Sequence, residues 1–243
     1  MLVIGDEILS GRIQDANAHH LAGRMSALGI RLIEIRTVAD EHDAIVEALR
    51  SLSARVTYLF TSGGIGPTHD DITADAVAAA FGRGIDVRAD ARALLEARYG
   101  GEYLNAARLR MARIPDGASL IDNPISAAPG FIVGNTHVMA GVPEIFRAML
   151  ASLEPGLTGG PAIRSHAFVA MLPEGDLAET LGTLAAAHPA VGIGCYPFWK
   201  ERPGARVVLR SPDAAALATA AQAMRAALTA LSGPEPVHET PPD

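Results

Sequence analysis

Val56-Thr-Tyr-Leu-Phe60, then Thr61-Ser-Gly-Gly-Ile-Gly-Pro-Thr-His-Asp-Asp-Ile-Thr73, then Ala74 to Phe81 form the continuous stretch whose reading decides the fold. Val56 to Phe60 mixes β-branched, aromatic and aliphatic residues in a short run, the composition of a strand buried in a parallel sheet. Gly63, Gly64 and Gly66 follow at once, in a loop where side chains would block close approach to a ligand. Glycine tolerates positive φ, so successive amides there can turn inward as an anion-binding nest. Thr73 is placed to cap the helix that follows, and Asp75 suits the positive end of its dipole. Strand, glycine loop and helix N-terminus, in that order, is a recurring geometry for holding a phosphate.

Asp70 and Asp71 add a condition. Two adjacent carboxylates repel a phosphate unless a cation lies between them, so the loop predicts a divalent ion, Mg²⁺ or a similar metal, bridging carboxylate and phosphate oxygens. No Gly-Lys-Ser/Thr follows the glycines, so this is not a Walker A loop. The glycine spacing does not fit the dinucleotide fingerprint either. The plainer alternative is a glycine-rich turn in which Asp70 or Asp71 caps the helix.

Outward toward the N-terminus, Met1 to Ile4 reads as a short strand that ends in Gly5-Asp-Glu-Ile-Leu-Ser10-Gly11. Asp6 and Glu7 therefore sit at the C-terminal end of a strand, where open α/β sheets collect ligands. Asp15 is placed to cap a helix reaching Leu28, with Leu21, Met25 and Leu28 at helical spacing and Gly29 ending it. Ile30 to Val38 alternates as a second strand and closes on Asp40, which either caps the helix beginning near Asp43 or faces the phosphate loop. If the three strands are parallel neighbours, Asp6, Asp40, the glycines and Asp71 emerge on one edge of the sheet and surround one pocket.

On the C-terminal side, Ala89 to Tyr99 and Asn105 to Arg113 read as helices. Ser119 to Asp122 reads as a short strand, and Phe131 to Val133 pairs with His137 to Ala140 across Gly134-Asn135. The arginines at 92, 98, 108, 110 and 113 read mostly as solvated faces, one or two being within reach of a ligand phosphate. Gly141-Val-Pro143-Glu144 opens another helix. Glu154-Pro-Gly-Leu-Thr-Gly-Gly-Pro161 breaks both helix and strand and marks a linker. The β-α-β-β-α order beyond it predicts a small ferredoxin-like module. The expected organisation is a three-layer α/β domain with a mostly parallel sheet over 1–155, the small α+β module over 164–231, and a disordered tail over 232–243 that is rich in proline and acids.

Almost half of the 243 residues are hydrophobic, enough for a core without staples, and Cys195 is the only cysteine. A single cysteine forms no intrachain disulfide, which points to a reducing, cytoplasmic setting. No run reads as a membrane span, and no signal-peptide pattern precedes the first strand. A formal charge of −7 without a Lys/Arg cluster argues against nucleic acid as a partner.

The segment Thr61 to Thr73 resembles the signature of the MoaB/Mog molybdopterin-binding domain family. With Gly66-Pro-Thr and the double aspartate, it is most similar to the N-terminal part of CinA-type proteins and to the pterin-binding-like domain of FAD synthase. The opening Gly5 to Gly11 and Asp15-Ala-Asn17 resemble the family's first motif, and Asn123 with Ala128-Pro-Gly-Phe131 a later one. Ala140 stands where the family more often has proline, and Glu144 lies one place early for the family's glutamate. The resemblance implies a site built from Asp6, Glu7, Ser10, Asn17, Gly63, Gly64, Gly66, Pro67, Thr68, Thr73, Asn123, Pro129 and Gly130. It further implies Asp70 and Asp71 at the metal and Asp40 with Asp71 in any chemistry. The implied ligand is a small phosphorylated heterocycle, molybdopterin or a nucleotide, bound by a homo-oligomer. Three functions stay open: molybdopterin binding in cofactor biosynthesis, metal-dependent pyrophosphate hydrolysis of ADP-ribose or FAD, and non-catalytic scaffolding.

Overall fold

A computed structural model describes residues 1–232 and 237–240 of the chain. It divides into two compact units, one of Met1–Arg24 with Leu32–Leu157, the other of Met25–Arg31 with Thr158–Asp243.

The first unit runs β1 (Leu2–Ile4), α1 (Asp6–Leu9), α2 (Asn17–Ala27), β2 (Arg36–Val38), α3 (His42–Ser53), β3 (Leu59–Ser62) and α4 (Thr73–Phe81). It continues through β4 (Ile85–Val87), α5 (Ala89–Tyr99), α6 (Ala106–Arg110), β5 (Arg113–Pro115), β6 (Ser119–Ile121), β7 (Gly130–Val133), β8 (Thr136–Met139) and α7 (Pro143–Leu153). Six strands form one sheet in the order β2-β1-β3-β8-β7-β6. β1 pairs parallel with β2 and β3, and β3 parallel with β8, while β7 runs antiparallel to β8 and β6. The mostly parallel sheet is thus as expected.

Burial explains the wholly apolar reading of β1, whose three residues are inaccessible on both faces. Leu2, Ile4, Leu59 and Val138 join a core with Ile45, Leu49 and Leu52 of α3 and Val77 of α4. Val3, Phe60 and Met139, which alternate with them, are buried on the opposite face. There α7 packs on β6 and β8, contributing the buried Phe146, Met149 and Leu150.

Several boundaries move, each for a local reason. The strand expected over Ile30 to Val38 pairs only over Arg36–Val38, because β1 offers just three residues to pair with. Ile33 and Ile35 are left about half exposed. The central strand lies two or three residues later than Val56–Phe60. The Asn135 side chain donates to the carbonyls of Ser53 (2.9 Å) and Val56 (2.8 Å), holding that approach as a turn. Thr61 and Ser62 instead extend the ladder, opposite Val138 and Met139. The helix expected over Asn105 to Arg113 is only Ala106–Arg110. Asn105 caps it by accepting from the Arg108 amide, and Arg113 already pairs in the β4–β5 ribbon.

The second unit runs β9 (Arg164–Ala170), α8 (Glu174–Ala187), β10 (Gly192–Trp199), β11 (Pro203–Ser211), α9 (Ala214–Ser232) and β12 (His238–Thr240). Its sheet has the order β10-β11-β9-β12, antiparallel throughout, which is a split β-α-β arrangement. Met25–Arg31 joins it through backbone bonds that no linker composition reveals, Gly160 N to Gly29 O (3.2 Å) and Ile163 N to Ser26 O (3.4 Å). α9 corrects the membrane reading: at 19 residues it is long and apolar enough to span a bilayer by length and composition. Leu217, Ala220, Ala221, Met224 and Leu228 nevertheless form a buried stripe, the pattern of a core helix. Trp199 lies at the end of β10 and is 76% exposed.

The expected disordered tail is corrected where it is described. His238–Thr240 pairs with β9, whereas 233–236 and 241–243 lie outside the described residues. Proline-rich sequence hid this strand, which is held by its short ladder with β9 and by one side chain. Glu239 accepts from His166 Nε2 at 2.5 Å and from Arg225 Nε at 2.7 Å. Arg225 first, then His166, pull the Glu239 carboxyl down to about 2. The folded pKa is below the unfolded one, so the stabilisation is complete above about pH 4.5 and disappears as pH falls toward 2. Glu239→Gln is therefore expected to destabilise the second unit by about 1 kcal/mol at neutral pH, after allowance for solvent screening. Thermal melts at pH 7 and pH 3 check this: the variant should melt lower at pH 7, and the gap should narrow at pH 3.

Candidate functional site

A cleft of about 660 Å³ opens at the C-terminal ends of the parallel strands. The segment after β1 supplies Gly5, Glu7 of α1 and Asn17 at the start of α2, and the loop after β2 supplies Asp40. The loop after β3 supplies Gly63, Gly64, Gly66, Pro67, Asp70 and Asp71, and the one after β8 supplies Gly141 and Pro143. β2, β1 and β3 are parallel neighbours, so their loops leave one edge of the sheet.

The glycine loop is held from beneath. Gly63 has φ 110°, and a Cβ there would lie 2.1 Å from the Ile4 carbonyl oxygen. Gly64 has φ 68°, and its Cβ would lie 2.1 Å from Thr73 Oγ1. These glycines thus let the loop pack on β1 and α4, a demand separate from ligand approach. Thr73 is the first residue of α4, not its cap: fully buried, it donates through its hydroxyl to the Gly63 carbonyl at 3.0 Å. Gly141 closes the floor, where a Cβ would stand 3.2 Å from the Gly63 Cα.

Asp71 clasps the loop. Its Oδ1 accepts from Gly66 N at 2.6 Å, and its Oδ2 accepts from Thr68 N at 2.8 Å and from the Thr68 hydroxyl. The carboxylate read from sequence as a metal ligand has its principal bonds inside the loop. Arg110 Nη2 donates to the Asp71 carbonyl at 3.2 Å and ties α6 to the same turn.

Asp40 lies across from the loop, its Oδ2 accepting from the Asp6 amide at 2.9 Å. Burial raises its pKa, and the Asp6, Glu7 and Asp70 charges add to the rise against that amide bond. It does not cap α3, whose N-cap residue is Glu41. Asn17 is buried and joins three segments, donating to Ser62 Oγ (2.8 Å) and to the Gly141 carbonyl (2.6 Å). Asp15 caps α2 as expected, accepting from the Asn17 and Ala18 amides.

Some expected site residues stand back from the cleft. Asp6 contributes its amide to Asp40. The Ser10 hydroxyl donates to Glu7 O at 3.3 Å, and Thr68 serves Asp71. Pro129 lines a small recess beneath the loop, and Gly130 is buried in β7, where a Cβ would meet Val138 O at 2.4 Å. Asn123 does line the cleft, and its Nδ2 donates to Ala128 O at 2.8 Å and shapes the turn before β7. The sequence reading did not assign Tyr99, Met111 and Ile145 to the cleft, and it left Arg108 unresolved among five arginines; all four line it.

Residues 1–158 match the family model described as a probable molybdopterin binding domain, and residues 162–233 match the FAD synthase middle domain. A CinA-like protein of Gemmatimonas aurantiaca is 37% identical over 81% of this chain and 50% of its own length. The chain thus spans about half the length of that curated relative. A protein of Archaeoglobus fulgidus is 31% identical over 81% of this chain and 84% of its own. The crystal structure of CinA from Thermoplasma acidophilum, a protein of unknown function, superposes with a TM-score of 0.61 at 32% identity, covering 64% of this chain and 94% of that one. With its glycine loop at the sheet edge and this coverage, the chain belongs to the molybdopterin-binding domain family, among the CinA-like proteins.

Proposed function

We propose that the cleft binds a small phosphorylated heterocycle, a pterin or a nucleotide, with its phosphate on the Gly63–Gly66 amides and the N-terminus of α4. The observation that carries this reading is the Asp71 clasp: its bonds to Gly66 and Thr68 fix the loop before any ligand arrives. The donor chemistry also fits a divalent cation. Among the described residues no three metal-ligating side chains gather into a protein-only site. Mg²⁺ is commonly held by one or two carboxylates with substrate phosphate and water, and Asp40 and Asp70 line the cleft for that role. Bound there, the cation would neutralise phosphate charge as the ligand enters.

One observation favours a second reading, hydrolysis of a pyrophosphate. Asp40 is a half-buried carboxylate with a raised pKa, held by the Asp6 amide and suited to take a proton from water. Asp40→Asn keeps an acceptor for that amide but removes the basic group. It is expected to lose turnover of ADP-ribose or FAD, and because Asp40 also lines the cation site, binding should weaken in Mg²⁺ while binding in EDTA stays near the wild-type value. The variant should also melt slightly higher at neutral pH. A raised folded pKa makes the ionised group a stability cost, one relieved as pH falls through that pKa. Titration of a pterin phosphate, ADP-ribose and FAD, followed by product assay, tests both readings. Binding without turnover leaves the pterin or nucleotide carrier, and absence of binding to all three sinks the phosphate-site reading.

A further inference from the structure

Among the described residues, Arg108 is the one basic residue lining the cleft, against five acids: Glu7, Asp15, Asp40, Asp70 and Asp71. Half-buried on α6, it has no carboxylate partner among the described residues. An arginine beside so many acids yet unpaired with any is held for another purpose by its surroundings. Its guanidinium carbon stands 5.1 Å from the Tyr99 ring centroid, a cation–π stack, and Nη1 donates to the Tyr103 carbonyl. The remaining donors with no acceptor among the described residues include Nε and one edge of Nη2. These lie side by side, the fork that grips a phosphate or carboxylate with two parallel bonds. α6 is moored to the glycine loop by Arg110, two residues on, and Arg108 lines the same cleft as that loop.

We infer that Arg108 anchors a second anionic group of the ligand, beyond the phosphate held by the glycine loop. The inference rests on the phosphate-loop reading and narrows it: the preferred ligand carries two anionic centres along the cleft, the second gripped by the Nε/Nη2 edge. Tyr99 and the Tyr103 carbonyl are positioning groups that keep the guanidinium plane fixed. The five acids lining the same cleft disfavour any anion that fails to reach Arg108, so they sharpen the preference.

Titration calorimetry of the full chain with AMP and with ADP, each with Mg²⁺, reads this directly. The wild type should bind ADP about tenfold or more tightly than AMP. Arg108→Gln should bring the two affinities to within about twofold while AMP binding stays near the wild-type value, and Arg108→Lys should restore only part of the preference. A wild type indifferent to the second phosphate, an Arg108→Gln variant that keeps the preference, or one that loses AMP and ADP equally would overturn the inference. The underlying reading has its own control. AMP binding that survives Gly64→Ala removes the loop from phosphate recognition, while the Arg108 ratio is judged separately. No binding of either nucleotide by the wild type overturns the inference and leaves the phosphate-site reading to the pterin phosphate, ADP-ribose and FAD titrations.

Discussion

Gly64→Ala is expected to abolish measurable binding of phosphorylated ligands, a loss of at least about a hundredfold, and to lower stability by about 2–4 kcal/mol. Two effects combine. The backbone φ of 68° disfavours any L side chain, and the new Cβ would lie 2.1 Å from Thr73 Oγ1. That hydroxyl supports the Gly63 carbonyl, so either it or the loop must move. Gly82 separates the two effects. It ends α4 with φ 62° but has no atom within 4 Å of its would-be Cβ. Gly82→Ala should therefore cost only about 1 kcal/mol and leave binding intact. Equal losses in the two variants, by thermal melt and ligand titration, would mean that conformational strain alone matters and the loop is not held by α4.

Asp71→Ala should leave the fold cooperative and reduce affinity for a phosphorylated ligand by about a hundredfold, because three bonds that shape the loop are lost together. Asp71→Asn should fall between, since one amide oxygen replaces two carboxylate oxygens. The decisive comparison is metal dependence. A clasp acts on the loop itself, so the loss should appear in EDTA as well as in Mg²⁺. A loss confined to Mg²⁺ would make Asp71 a metal ligand instead. Circular dichroism before and after guards against general unfolding.

The site was legible where its residues follow strands closely in sequence. Asp40 and Gly63–Gly66 stand within a few residues of β2 and β3, so recognising the strands and their parallel order was enough to bring them to one edge. Arg108, Tyr99 and Met111 were not legible as site residues because they lie on, or just after, helices far along the chain. Only packing of those helices against the loop brings them in, and nothing local marks one arginine of five. The glycines were read correctly as a loop signal but for half the reason. Their clearest constraint is contact with Ile4 and Thr73, which no spacing rule reports. β2 was overread because alternation measures what a segment is suited for, whereas pairing depends on the length of its neighbour. β12 was missed for the opposite reason. Three residues carry no periodic pattern, and the strand depends on an ion pair assembled from β9 and α9.

Gly63 and Gly141 meet almost backbone to backbone at the base of the cleft. The grip proposed here for a phosphate is therefore written in peptide groups, which remain the same whatever side chains surround them. Ile13 and Val142 stand at the rim, 57% and 55% exposed, and support little beneath them. Such a division makes the protein a chassis with an exchangeable collar. Recasting the rim for a bulkier or more polar ring should retune the choice of ligand while its handle remains seated in the same main-chain socket.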